Sequence, residues 1–383
     1  MEQNIIYLNN AATSYPKPDV VVNTVVEYIK GIPFHSSRSG FDDSQKDVVL
    51  SCREKIAQLF NIDDPNDISF TSGSTESLNL VISGIELDKS HVITTAIEHH
   101  SVLRPLKRLE NNNSIELTIV DCDEYGYVDP QEIENALKVN TKAIIVNHCS
   151  NVLGSVLDIK QIAGIAHKNN AVIIVDASQS AGCIPIDVKD MGIDVLAFTG
   201  HKSLFGLPGT GGIYIKKGLN IKPLKVGGTG VKSDLLYQPD DRPTYYEAGT
   251  QNISGIVSLE AGVSYVLNTG LEIIKQKKGE IFYQIMNYLE NNPEIIIYGT
   301  KTLKNKEPLI CFNIKGMPCE DAGYILENSF GIILRSGLHC APLIHKRIGS
   351  YPKGALRLSP SCFNTKDEVE KLIKAIDQIC RIK

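Results

Sequence analysis

Lys202 and Asp176 are the side chains on which the chemistry of this 383-residue chain turns. The apolar run Val195-Leu196-Ala197 leads through Phe198-Thr199-Gly200 to His201-Lys202-Ser203. This predicts a strand that delivers an amine to the carboxyl edge of a sheet, the edge where open α/β proteins hold ligands. An amine held there can form a Schiff base. Twenty-six residues upstream, Ala171-Val172-Ile173-Ile174-Val175 predicts another strand, which ends in Asp176 and is followed by Ser178-Gln179-Ser180. A lysine for an aldehyde carbon, with a carboxylate that keeps a ring nitrogen protonated, is the pair that pyridoxal 5'-phosphate needs to act as an electron sink. Taken singly, a lysine at a strand end is most often solvated, and an aspartate after a strand most often caps a helix. Together on successive strand ends they point to the cofactor.

The cofactor's phosphate needs a cradle, and Thr71-Ser72-Gly73-Ser74-Thr75-Glu76 stands where a strand turns into a helix. Backbone N–H groups there, with the hydroxyls of Ser74 and Thr75, suit an anion, although an ordinary helix cap reads the same way. The next strand ends in Ile97-Glu98-His99-His100-Ser101, which brings an imidazole to the same edge. His99 is the candidate to lie on the pyridine ring, with His100 as its surface neighbour. Asn151, in His148-Cys149-Ser150-Asn151-Val152-Leu153-Gly154, either bonds the phenolic oxygen of the cofactor or caps the turn that it opens.

Seven strands must position these groups: Ile68-Thr71, His91-Ala96, Ile115-Val120, Ala143-Asn147, Val172-Asp176, Asp194-Thr199 and Gly211-Ile215. Short apolar runs alternating with helical patterns predict βαβ units and a large, mainly parallel sheet. After Gly249 the pattern turns to long helices over Ile253-Leu267 and Leu271-Asn291. There follow a strand Leu309-Ile314, a helix Glu320-Asn328, strands Ile332-Arg335 and Ala355-Ser359, and a last helix capped by Thr365 and ending near Arg381. The expected fold class is α/β, with a large domain over residues 15–255 and a small α+β domain over 256–383, against which residues 1–14 pack.

A net charge of −5 with mixed signs argues against a nucleic-acid partner. The absence of an apolar run long enough to span a bilayer, and of an apolar leader, predicts a cytoplasmic protein. Nine cysteines without Cys-x-x-Cys spacing read as reduced thiols and not as a disulfide frame or a metal site.

The ordered set Glu98-His99, Ser150-Asn151-Val152-Leu153-Gly154, Asp176-Ala177-Ser178-Gln179, Gly200-His201-Lys202 and Glu247-Ala248-Gly249-Thr250 resembles the class V aminotransferase family of fold-type I pyridoxal phosphate enzymes. Within it, Arg335-Ser336-Gly337-Leu338-His339-Cys340-Ala341 resembles the Arg-x-Gly-x-His-Cys-Ala signature of group II cysteine desulfurases and selenocysteine lyases. The resemblance runs from Tyr7-Leu8-Asn9-Asn10-Ala11-Ala12 to Leu356-Arg357-Leu358-Ser359. It implies Lys202 as the lysine that carries the cofactor, Asp176 at the pyridine nitrogen, and His99 stacked on the ring. It also implies Asn151 and Gln179 at the phenolic oxygen, and Thr75, Thr199 and His201 at the phosphate. Thr250 would reach the phosphate of a second subunit, which implies a homodimer. Arg357 would clamp the substrate carboxylate, with Arg335 as a second substrate-side candidate.

Cys340 separates a desulfurase from a transaminase or β-lyase in which this cysteine is incidental. The implied reaction forms a persulfide on Cys340 and releases alanine from L-cysteine, with L-selenocysteine as the variant substrate and a sulfur-acceptor protein as a possible partner. His339 and Arg335 are expected to favour the thiolate. Thr199 stands where many relatives carry serine, and Asn9-Asn10 replaces a more usual acidic residue. The basic stretch His345-Lys346-Arg347 reads more readily as a solvated loop than as a dock for an acceptor.

Overall fold

The computed structural model describes residues 5–31 and 47–382. Its strands, in chain order, are β1 (Ile6–Tyr7), β2 (Ile68–Thr71), β3 (Ser90–Thr95), β4 (Ile115–Val120), β5 (Thr141–Asn147), β6 (Val172–Asp176), β7 (Val195–Thr199) and β8 (Gly211–Ile215), then β9 (Ile295–Tyr298), β10 (Ile310–Ile314), β11 (Ile332–Ile333), β12 (Arg335–Gly337) and β13 (Ala355–Leu358). The seven strands expected for the large sheet form it in the order β2-β8-β7-β6-β5-β3-β4. Only β8 runs against the others, pairing antiparallel with β2 and β7. Their sequences explain the burial. Ile173, Ile174, Val175, Leu196, Ala197 and Phe198 are all fully buried, as befits strands covered by helices on both faces. The Phe198 ring packs tilted against Phe60 of the helix Val48–Phe60, 5.5 Å between centroids, and burying such a ring contributes about 2 kcal/mol.

The register aligns the chemistry. Asn147 lies opposite Asp176, and Asp176 opposite Ala197, two residues before Thr199. The carboxyl ends of β2, β3, β5, β6 and β7 therefore share one edge.

The smaller layer is an antiparallel sheet in the order β12-β13-β10-β9, packed on the helices Leu271–Asn291, Cys319–Phe330 and Lys366–Ile382. Thr365 caps the last of these as expected: its hydroxyl accepts from Glu368 N, and the Glu368 carboxylate accepts from Thr365 N at 2.8 Å. Ile6 and Leu8 enter the small core, and β1 pairs in parallel with β11. The first four residues fall outside those described.

Two differences from the sequence reading stand out. The expected strand Ile332-Arg335 divides in two: β11 pairs with β1, whereas β12 pairs with β13. Periodicity reports burial and not the partner, and here the chain changes partners within three residues. β9 and the short helix Pro342–Arg347 were not expected. The latter converts the supposed solvated stretch into an element whose His345 is fully buried, while Lys346 and Arg347 stay exposed. The helix Ile253–Thr269, in which the expected domain boundary falls, sends Ile256, Leu259 and Val263 into the core of the large sheet.

Candidate active site

A cavity of about 360 Å³ opens at the shared strand edge, roofed by the β12–β13 face of the small layer. Its lining brings together Ser74, Thr75, His99, Asn151, Asp176, Gln179, Thr199, His201, Lys202, Arg335, Cys340 and Arg357. Of the residues singled out in the sequence, Thr250 alone lies elsewhere. It is exposed in an adjoining recess that shares Ser72, Glu76 and Gly209 with the cavity.

Asp176 is buried at the end of β6, where its Oδ1 accepts from Ser178 N at 2.9 Å and from the Ser178 hydroxyl. These donors orient a carboxylate toward the cavity. The Lys202 amine is held down to about 8, because burial penalises its charged form more than the Asp176 carboxylate supports it. His99 caps the helix His100–Asn111 through its own ring: Nδ1 accepts from Ser101 N at 3.1 Å. Burial holds that ring down to about 4, so it is neutral with its proton on Nε2.

At the other end of the cavity, Gly73 caps the helix Ser74–Gly84 with φ +147°, a conformation that strongly favours glycine. The helix presents its N-terminal N–H groups there. Ser74 Oγ and His201 Nδ1 are buried without a hydrogen-bond partner among the described residues. Burial holds His201 down to about 4, so it too is neutral. Glu76 brings a negative charge to this helix end, but it is matched by Lys225 at 2.6 Å and by two bonds from Ser72. The His201 carbonyl accepts from Thr13 Oγ1, Ser14 N and Lys17 Nζ, at 3.0–3.1 Å, so the N-terminal segment clamps the residue before Lys202. This end fits an anionic group such as a phosphate, by donor chemistry and by unpartnered polar atoms.

Cys340 stands exposed at the rim. Both it and His339 adopt left-handed backbone, φ 58° and 51°, which costs about 1 kcal/mol or more for each non-glycine residue. Bonds on three sides hold the loop there. His100 N donates to Cys340 O at 2.8 Å, Asn151 Nδ2 to His339 O at 2.7 Å, and Ala341 N to Leu338 O at 2.9 Å. The expectation that His339 assists the thiolate is corrected. Its ring is buried, turned away to stack on His345, and held well below its usual range by burial, so it brings no positive charge to the sulfur. Arg335 remains the cation on this rim, exposed and opposite Arg357 in the β12–β13 register.

Arg357 is buried. Its Nη1 donates to Asn151 O at 2.8 Å and its Nη2 to Asn9 Oδ1 at 3.3 Å, while Nε has no partner among the described residues. Burial lowers the guanidinium to about 10, which still leaves it charged at neutral pH. The amide of Gln179 donates to Ala11 O at 3.0 Å and that of Asn151 to His339 O, which leaves each nitrogen one further N–H.

The model of the family described as aminotransferase class-V matches residues 6–372. The chain belongs to that family. Relatives within it include a probable cysteine desulfurase of Methanothermobacter thermautotrophicus, 34% identical with 98% of this chain and 94% of the relative covered. A second, from Pyrococcus abyssi, is 32% identical over 100% of this chain and 96% of its own. Among solved structures, the apo cysteine desulfurase of Thermococcus onnurineus superposes with a TM-score of 0.88 at 30% identity, covering 98% and 95% of the two chains. The cysteine desulfurase CsdA of Escherichia coli, determined with an S-sulfonic acid, gives 0.90 at 26% identity over 100% and 96%.

Several residues of this family member's site stand in motifs quoted from the sequence but were given no role there. Asn9 pins Arg357, Glu98 lies buried under the cavity, and Ser178 orients Asp176. Only Ser178 carried a local signal, since a serine two residues after an aspartate is a common Asx-turn partner. Asn9 acts across 348 positions of sequence.

Proposed function

We propose that the chain is a pyridoxal 5'-phosphate-dependent L-cysteine desulfurase that takes the sulfur of cysteine onto Cys340 and releases alanine. One observation carries this reading: an exposed thiol on the rim of the same cavity as Lys202, Asp176 and Arg357. The names of the relatives and structural neighbours point the same way. The cofactor fits the residues present. Ser74 Oγ and His201 Nδ1, unpartnered in the protein, and the N-terminal N–H groups of the helix Ser74–Gly84 suit its phosphate, with Thr75 and Thr199 beside them. Asp176 suits its ring nitrogen, His99 its face, and the free N–H of Asn151 and of Gln179 its phenolic oxygen. When bound, pyridoxal phosphate supplies an electron-accepting ring conjugated to the amino acid.

The protein's own groups divide the remaining work. Arg357, held by Asn9 and Asn151, receives the substrate carboxylate, with Arg335 on the solvent side. Lys202, with its amine partly neutral near pH 7, takes the Cα proton and returns one to the product. The Cys340 thiolate forms a bond to the substrate sulfur as the Cβ–S bond breaks. The protein is left with a persulfide, and the carbon fragment leaves as alanine. Thr250 completes the phosphate site of a second subunit in a homodimer. Its exposure away from the cavity, together with the exposed Leu236 and Tyr237 of the preceding loop, supports that arrangement.

The test is alanine release from cysteine, in the presence of a reductant, by wild-type protein and by Cys340→Ala. The variant is expected to keep the spectral change on adding cysteine and to lose at least 90% of alanine release, about 1.4 kcal/mol or more of transition-state stabilisation. Wild-type turnover by Cys340→Ala would make the enzyme a lyase or transaminase.

A further inference from the structure

Behind Cys340 runs a chain of hydrogen bonds that the sulfur chemistry leaves unused. His339 Nε2 meets the Arg335 carbonyl at 3.4 Å, and His339 Nδ1 meets His345 Nε2 at 3.1 Å. His345 Nδ1 in turn meets the Ser350 hydroxyl at 2.7 Å. The carbonyl at the open end accepts only, which sets every proton in the chain. His339 must donate from Nε2, so its Nδ1 must accept. His345 must then donate from Nε2 and accept at Nδ1, and Ser350 must supply the last proton. Each ring nitrogen is used once; a second proton on His339 would set its Nδ1–H against the His345 Nε2–H, whereas one on His345 would turn the Ser350 hydroxyl from donor to acceptor.

The chain is built into the core. His345 has no exposed surface, His339 and Ser350 are each 5% exposed, and the two rings stack at 5.2 Å between centroids. The charged groups facing it are the guanidiniums of Arg335 and Arg357, both of which disfavour a protonated ring. What the chain holds is the residue next to Cys340. With His339 and Cys340 both at positive φ, the loop keeps its shape only while its anchors hold, and the His339 ring is the anchor on the side away from the cavity.

We propose that His345 is a positioning residue for Cys340, fixing the sulfur-accepting loop through its hydrogen bond to His339. The proposal rests on the reading of Cys340 as the sulfur acceptor. Sulfur transfer needs the thiolate within reach of a bound substrate, and a shift of about 1 Å is enough to lower such a rate a hundredfold. Binding of cysteine at Arg357 and Lys202 does not use the loop's sulfur. Loss of His345 therefore weakens turnover and leaves binding alone. In this position a glutamine still offers an N–H to His339 Nδ1 where the imidazole Nε2 does, whereas a methionine fills the space without it.

The experiment compares holoenzyme of wild type, His345→Met, His345→Gln and Cys340→Ala. Two quantities are read: cysteine Kd from the visible spectrum, and kcat for alanine release with reductant present. His345→Met is expected to lower kcat at least tenfold with Kd within threefold of wild type, and His345→Gln to recover kcat to within threefold. In the apoproteins, hydrogen exchange of the Ala341 amide is expected to quicken in the methionine variant and to return to the wild-type rate in the glutamine variant. A kcat within twofold of wild type in His345→Met would overturn the proposal. So would an equal loss of kcat and binding that glutamine does not relieve, because that pattern marks a packing role. Should His345→Met fail to fold, Ser350→Ala decides: about a threefold loss of kcat at constant Kd is expected, and no loss counts against the chain. Wild-type alanine release by Cys340→Ala would instead overturn the desulfurase reading itself, whatever the His345 variants do.

Discussion

Lys202 shows how burial tunes a single group for its task. The neutral amine is the nucleophile toward an aldehyde, so its reaction follows the deprotonated fraction, which rises tenfold per pH unit up to the pKa and then levels off. With that amine held to about 8, the apoprotein's rate of combination with pyridoxal phosphate should climb from pH 6 and flatten near pH 8. An ordinary lysine would keep rising past pH 10. Stopped-flow absorbance across that range checks the assignment, and a rate still climbing at pH 9.5 would show that Lys202 is not desolvated. Substituting Asp176 by asparagine removes the largest influence that raises this pKa, so the plateau should move to lower pH.

At the scale of elements, Glu98 joins two strand ends. It follows β3, and its Oε1 accepts from Thr95 Oγ1 at 2.6 Å and from Asn147 N, at the end of β5, at 3.0 Å. Complete burial raises this carboxyl to about 8, with the nearby Asp176 charge adding to the effect. Because the folded value lies above that of the unfolded chain, its contribution to stability is fully present below about pH 4.5 and is lost as pH rises through about 8. Glu98→Gln copies the protonated form. Its melting temperature should match wild type at pH 4 and exceed it at pH 9, by several degrees for each kcal/mol relieved. Equal melting temperatures at pH 9 would mean that Glu98 ionises freely in the folded protein. Glu98→Ala, which strands the Thr95 hydroxyl and the Asn147 N–H, should destabilise at pH 4 by about 1–3 kcal/mol.

For the whole molecule, the question is whether one chain makes a complete site. Thr250 faces an adjoining recess, and the loop before it exposes Val226, Leu235, Leu236 and Tyr237. Leu236 and Tyr237 are 97% and 86% exposed, more apolar surface than an isolated chain gains from presenting to water. We expect light scattering to give a dimer at assay concentration and Thr250→Ala to raise the dissociation constant for pyridoxal phosphate about tenfold, as loss of one hydrogen bond to a charged group does. A fully active monomer would sink both expectations.

The sequence by itself determined the strand ends that carry Lys202 and Asp176, the small-residue turn at Ser74, and the seven-stranded sheet. These signals are local: apolar runs, turn residues and helix caps act within a few residues, and alternation of strand and helix then leaves few ways to assemble a sheet. Tertiary structure alone decided the rest. Arg335 reaches the cavity because its strand breaks from β11 and pairs with β13, a choice that periodicity does not encode. Asn9 grips Arg357 across 348 residues, Asn151 does so across 206, and His345 proves to be a buried anchor where charge patterning suggested a solvated loop. Polar side chains look alike in sequence whether they face water or a partner far along the chain, because only the packed fold decides which of them must find a hydrogen bond.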